Sequence, residues 1–446
     1  MKNKNDLLYI IIIVVLIALL GLFWYLIISS NKSSSDTSNN NNQNQGTGSS
    51  SVTYSAANEI TEDKTITSGS YSSETADENA LSVSGDIDVT ISNITVEKTG
   101  DSDGGDNTSF YGTNSAIIAK SGANLTLKNI TVTTDATGAN GVFSYGGSAT
   151  TNNTSSDGTT VNISDSTITT KKDNSGGIMT TGGGITNASN LTVTTAGTSS
   201  AAIRTDRGGG TVTVDGGSYT TTGQGSPTVY STANVTVKNA TLTATSSEGI
   251  VVEGMNSVSL ENVDLTDTNS KLNGQSTTYK NIFLYQSASG DASDGTSSFT
   301  AKNSNITTNK GDTLYITNTT ANISLTNNTI INNDSTGNFL RAQADSWGSS
   351  GSNGGIVTLT MNNQTVSGNI AIDSVSTLDM TMTSSSYTGT INADNSAKSI
   401  SIKLDKDSKI KLTGDSYITS LDNADTTNSN IDFNGYKLYV NGKAIN

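Results

Sequence analysis

The residues with the most chemical reach in this chain are its three arginines, Arg204, Arg207 and Arg341. Arg204-Thr205-Asp206-Arg207 follows the apolar pair Ala202-Ile203 and runs into Gly208-Gly209-Gly210. Arg341 follows Phe339-Leu340 in a stretch of the same type, with Gln343, Asp345 and Trp347 close behind. If the strands stack in register, these groups share a face several turns apart. A guanidinium beside an aromatic ring can hold a sugar acid, the charge meeting the carboxylate and the ring the sugar face. The competing outcome is a local ion pair between Arg204 and Asp206, which contributes little. The ligand-binding candidates are therefore Arg204, Asp206, Arg207, Arg341, Gln343, Asp345 and Trp347.

Acidic residues offer a second chemistry. Asp101, Asp103 and Asp106 alternate with Ser and Gly, as oxygen ligands for Ca²⁺ do around a bend. Asp291 with Asp294 is a similar pair. The first cluster lacks a closing bidentate glutamate and flanking helices, so solvated loop acid is the alternative. Glycoside hydrolysis needs two carboxylates facing each other across a cleft. Asp264 and Asp267 lie in one repeat and are not distinctive. Thr-x-Thr pairs recur at Thr131/Thr133, Thr167/Thr169, Thr192/Thr194 and Thr241/Thr243. Stacked, they form an outward hydroxyl ladder that could meet ice or a crystalline glycan, unless irregular inserts interrupt the face. Threonine's high strand propensity accounts for them equally.

Several chemistries are excluded. With no cysteine, the chain has neither disulfides nor a thiolate nucleophile, and with no histidine it has no imidazole base or ligand. A formal charge of −15 argues against nucleic acid, which requires a basic face.

The elements that must position these residues are written repeatedly along the chain. Asn124-Leu125-Thr126-Leu127-Lys128-Asn129-Ile130-Thr131-Val132 alternates apolar and polar residues, turns at Asn129, and alternates again. Period-2 alternation marks a strand with one buried face, and the corner residue tolerates left-handed backbone. The unit recurs with first positions at Val89, Leu125, Val161, Thr186, Val212, Val235, Val258, Phe299, Ile323, Leu359, Met380 and Ile431. A shorter apolar stretch falls between units, as at 115–118, 249–252, 281–284, 313–316 and 338–340. Three strands per turn of about 22 residues predicts an all-β, single-stranded right-handed parallel β-helix of about a dozen turns. Stacked at about 4.8 Å, such turns give a rod on the order of 60 Å long. Inserts at 100–113, 146–160, 267–279, 287–298 and 342–355 read as surface loops.

The Asn-x-Thr repeats and the ending Asn434-Gly435-Tyr436 resemble the adhesin-like β-strand-repeat surface proteins of the pectate-lyase-like parallel β-helix group. The resemblance covers roughly residues 81–446 and implies surface attachment or glycan contact rather than a defined reaction. Catalytic versions of the fold act on acidic polysaccharides.

The first residues differ in kind. Residues 1–6 read as a short cytoplasmic tail, and Leu7 to Ile28 runs without a charge. That length makes a helix of about 33 Å, enough to cross a bilayer, so one N-terminal transmembrane helix is expected to precede the solenoid. A cleaved signal segment is the alternative, which would release a secreted protein. Residues 29–52, rich in Ser and Asn, read as a disordered tether, 53–80 as a lead-in or cap, and 81–446 as the β-helix.

Together these features predict a membrane-anchored cell-surface protein of adhesin type that binds a glycan or a surface protein. No cofactor is required by this reading, with Ca²⁺ as the one candidate. A polysaccharide lyase or hydrolase on the same fold is the runner-up, and a passive spacer stands third.

Overall fold

A computed structural model describes residues 52–102, 104–148, 156–287 and 289–446. The segment expected to span a membrane, Leu7 to Ile28, its flanking tail and the Ser/Asn-rich tether lie outside the described residues, as does Asp103. No described helix is long and apolar enough to cross a membrane.

The described chain is all-β, built of long parallel ladders with almost no helix. Alternation places its buried positions directly over one another in successive repeats. Val89, Leu125, Val161, Thr186, Val212 and Val235 are paired partners in turn. Val258, Phe299, Ile323, Leu359 and Met380 continue the same column. Eleven of the twelve expected unit starts thus share one ladder. Ile431 does not: it pairs with Ile410, in a ladder shared with Val366 and Tyr387, while Met380 is followed by Ile402 and Leu421. Leu260 and Leu325 are fully buried and flank Ala301 in a second inward column. Each such side chain contributes roughly 1.5–3 kcal/mol of burial.

The corners follow from backbone conformation. Asn93, Asn129, Asp165, Asn239, Asn262, Asn327 and Ser384 have φ between 46° and 55°, and Gly216 has φ 79°. Asparagine reaches this region because its short amide can hydrogen-bond locally. Here the amides also bond to one another along the stack, Asn129 Nδ2 donating to Asn93 Oδ1 at 2.6 Å and Asn327 Nδ2 to Asn303 Oδ1 at 2.8 Å.

The short apolar stretches form a twelve-stranded parallel sheet of their own. It begins earlier than residue 81: Glu59–Ile60 pairs with Ser82–Val83. Lys64–Ile66 and Gly69–Ser73 likewise pair with the next repeat. Stacked ladders fed by each repeat in turn are compatible with a parallel β-helix. One insert departs from the expected loop. Asp106–Tyr111 is a six-residue helix ending at Gly112 in left-handed conformation, with Phe110 buried.

Candidate ligand-binding groove

In the twelve-stranded sheet, alternate residues face away from the core and register aligns them. Arg204 pairs with Tyr230, Tyr230 with Val251, Val251 with Phe283, Phe283 with Tyr315, and Tyr315 with Arg341. Arg204 and Arg341 therefore belong to one column, five strand steps apart, on the order of 24 Å. Between them the column is mostly aromatic.

Rings from this column and its neighbours pack as a group. Phe283 stacks on Tyr285, centres 4.4 Å apart and planes 15° from parallel. Trp347 meets Phe283 at 5.3 Å and Tyr285 at 5.2 Å. Glu253, 1% exposed, fixes two of the rings by their hydroxyls. It accepts hydrogen bonds from Tyr230 Oη at 2.5 Å, from Tyr285 Oη at 2.8 Å, and from Ser287 Oγ. Burial holds both tyrosine hydroxyls well above their usual pKa; for Tyr285 the Glu253 carboxylate adds to it, and for Tyr230 the Tyr285 hydroxyl and then Glu253 do. The hydroxyl ends are thus locked, and Tyr230 and Tyr285 are partly buried rather than fully enclosed.

Two adjoining recesses lie over these rings. One, about 210 Å³, is lined by Ser199, Arg204, Tyr230 and Tyr285 among others. The second, about 270 Å³, is lined by Tyr230, Phe283, Tyr285, Trp347 and Glu248. They share Gly225, Pro227, Tyr230, Asn273 and Tyr285, so they form one groove. Inserts supply its walls. Asn273 to Ser276 come from 267–279 and Trp347 from 342–355, and Thr277 Oγ1 ties the two inserts by donating to Asp345 at 3.0 Å. Gln224 Nε2 donates to the Leu272 carbonyl at 2.5 Å. Larger hollows of about 880 and 870 Å³ flank the 287–298 insert, but glycine, serine and threonine dominate their linings and neither has an aromatic side chain.

The cations in and under the groove are paired. Arg204 donates to Asp206 at 2.8 Å and to the Ser199 carbonyl at 3.0 Å. Arg207 pairs with Asp291 at 2.9 Å and stacks on Phe110 at 4.0 Å. Arg341 pairs with Asp312 at 2.5 Å. The local ion pair weighed for Arg204 is the arrangement found, extended to all three arginines. Burial raises the Asp206 carboxyl to about 6, with Arg204 opposing the shift and Asp291 adding to it. Lys280, 0% exposed, sits against the rings of Phe283 (4.4 Å), Tyr315 (4.9 Å) and Trp347 (5.8 Å). It donates to Ser276 Oγ and the Thr278 carbonyl and lies 3.8 Å from Glu248. Burial lowers its pKa and Glu248 resists that shift.

Of the seven expected ligand residues, Gln343, Asp345 and Trp347 gather at one end. Tyr315 Oη donates to Asp345 at 2.5 Å and receives Gln343 Nε2 at 2.9 Å. Arg204 and Asp206 stand at the other end. Arg207 lies to the side, bonded to the 287–298 insert. Tyr230, Glu253, Phe283, Tyr285 and Tyr315 were missed from the sequence, although each sits at an outward position in a short strand. The signal was that parity, read without the register.

Of the first acidic cluster, Asp101 and Asp106 are described. Asp101 accepts the Thr137 N–H at 2.7 Å, and Asp106 opens the short helix. Among the described residues no group of three or more acidic side chains is placed to hold a metal ion. Asp264 is exposed and accepts Asn305 Nδ2 at 2.6 Å, whereas Asp267 is buried, so the two do not face each other. The Thr-x-Thr pairs do stack. Thr133, Thr169, Thr194, Thr220, Thr243, Thr266 and Thr307 are register partners in sequence. The inserts leave that ladder continuous.

Comparison of the chain with family models, curated proteins and solved structures finds no match.

Proposed function

We propose that the chain is a right-handed parallel β-helical surface protein of adhesin type, held at a membrane by Leu7 to Ile28, that binds a glycan in the Tyr230–Tyr285–Trp347 groove. The aromatic floor carries the reading. Rings whose hydroxyls are pinned at Glu253 offer flat apolar faces, and such faces suit the C–H face of a sugar ring while surrounding polar groups take its hydroxyls. A passive spacer needs no such groove.

Binding without turnover is the reading of the acids. Asp206 and Glu253 are 3% and 1% exposed, and each is held by hydrogen bonds within the protein. Hydrolysis requires one acid and one base free to meet substrate. A repeated surface also suits several weak contacts with a repeating polymer.

The test is a glycan panel incubated with the full chain, binding and product release being scored in the same wells with and without Ca²⁺. Saturable binding that Trp347→Ala and Tyr285→Ala each weaken by about tenfold or more is expected. Release of product abolished by Arg204→Ala or Arg341→Ala would overturn the reading in favour of an enzyme. Absence of any binding would favour the spacer.

A further inference from the structure

Resting on that reading, we infer that the groove selects an uncharged glycan built of hexopyranose rings and rejects polyuronates, the ligands that a basic cleft would favour. The first observation is the state of the arginines. Each guanidinium already meets a carboxylate within 2.9 Å, so none presents an uncompensated charge to a sugar acid.

The second observation is the balance of charge. Arg204 and Glu248 line the recesses, and behind that lining stand Lys280 and Arg341 with the carboxylates of Asp206, Glu253, Asp312 and Asp345. Carboxylates outnumber cations there, on a chain whose formal charge is −15. A polyuronate entering this groove meets Glu248 in the lining and a net negative surrounding behind it, and like charges disfavour association. The one cation beneath the rings, Lys280, is 0% exposed and occupied by Ser276, Thr278 and Glu248.

The third observation separates a neutral sugar from a cationic one. Aromatic faces attract cations, but Lys280 already lies within 5.8 Å of the Phe283, Tyr315 and Trp347 rings. A second positive charge over the same rings is repelled by it. Stacking and hydrogen bonds to neutral hydroxyls are what the groove has left to offer, from Tyr285, Trp347, Asn273 and Ser276.

The experiment is calorimetric titration of the full chain with four probes: cellohexaose, chitohexaose, the glucosamine hexamer and hexagalacturonate. At least one of the two neutral hexamers is expected to bind about tenfold or more tightly than either charged one. Its affinity should change less than about twofold between roughly 0.05 and 0.5 M salt, since no ion pair is made. Trp347→Ala should weaken that binding by about tenfold or more, while Lys411→Ala, exposed and absent from the groove lining, should leave it within about twofold. Preferred binding of hexagalacturonate, lost in salt and in Arg204→Ala, overturns the selectivity but keeps the glycan reading. Preferred binding of the glucosamine hexamer overturns it too, with the surplus carboxylates then dominant. Binding of none of the four overturns both.

Discussion

Asp267 occupies a position that threonine fills in most neighbouring repeats. Its register column runs Thr134, Thr170, Thr195, Thr221, Ala244, Asp267, Thr308 and Asn332. The side chain is 0% exposed; Oδ1 accepts the Asn269 N–H at 3.0 Å, and Oδ2 has no partner. Burial pushes its pKa up to about 9, with the Asn269 N–H opposing and Glu248 adding to the shift. In the unfolded chain an aspartate titrates at about 3.9. Between those values the folded state holds the extra proton, so stability falls as pH rises through about 4 to 9. Asp267→Asn, which keeps the shape without the titration, should flatten that slope and melt above the parent at alkaline pH. Thermal melts at intervals from about pH 5 to 9 check this. A variant whose melting tracks the parent at every pH would show that Asp267 is ionised in the fold. Asp264 and Asp267 were considered together from the sequence, yet three positions of spacing turn them to opposite faces of one strand, and only one is buried.

The corners are where sequence and conformation correspond most closely. Asn239 has φ 51°, donates to Asp215 at 2.6 Å and accepts from Asn262 at 3.2 Å. Asn239→Ala loses both bonds and leaves a Cβ-bearing residue in left-handed backbone without the amide that compensates it, at a cost of about 1–2 kcal/mol. Asn239→Gly relieves the backbone and should recover part of that loss. Urea denaturation of the three proteins gives the comparison, and equal midpoints for Ala and Gly would remove backbone strain from the account. Strands and corners were legible because buried apolar residues and left-handed turns each leave a mark in composition. Ile431 was assigned to the wrong ladder because both sides of the corner alternate with the same period. The helix at Asp106–Tyr111 is too short to show a 3.6-residue pattern, and its N-cap Gly105 makes no side-chain capping bond. The groove was half legible. Its charged ends stood out by rarity, but its aromatic floor depends on register between strands tens of residues apart, which no local pattern records.

Across residues 52–446 the ladders share one buried core reaching from Ile60 to Leu438. Leu438–Val440 lies parallel to Ser416–Ile418 on one side and antiparallel to Lys443–Ala444 on the other, so a hairpin covers that edge. Removing residues 436–446 bares Ser416–Ile418, and an uncovered strand is a template for a second chain. The shortened protein is expected to elute from size exclusion as concentration-dependent oligomers. Elution as a monomer at every concentration would assign the hairpin no covering role.

The ladder direction has a mechanical consequence. Backbone hydrogen bonds between repeats point along the stack, so tension applied between its two ends loads one repeat's bonds before the next. Such a protein yields by peeling, each detached repeat of about 22 residues paying out on the order of 70 Å of slack. The groove draws Arg204, Tyr230, Tyr285 and Trp347 from four of six successive repeats, so a bound polymer would bridge repeats that tension tries to part. Ligand and load would then oppose each other directly, and an occupied groove would be the last stretch to give way.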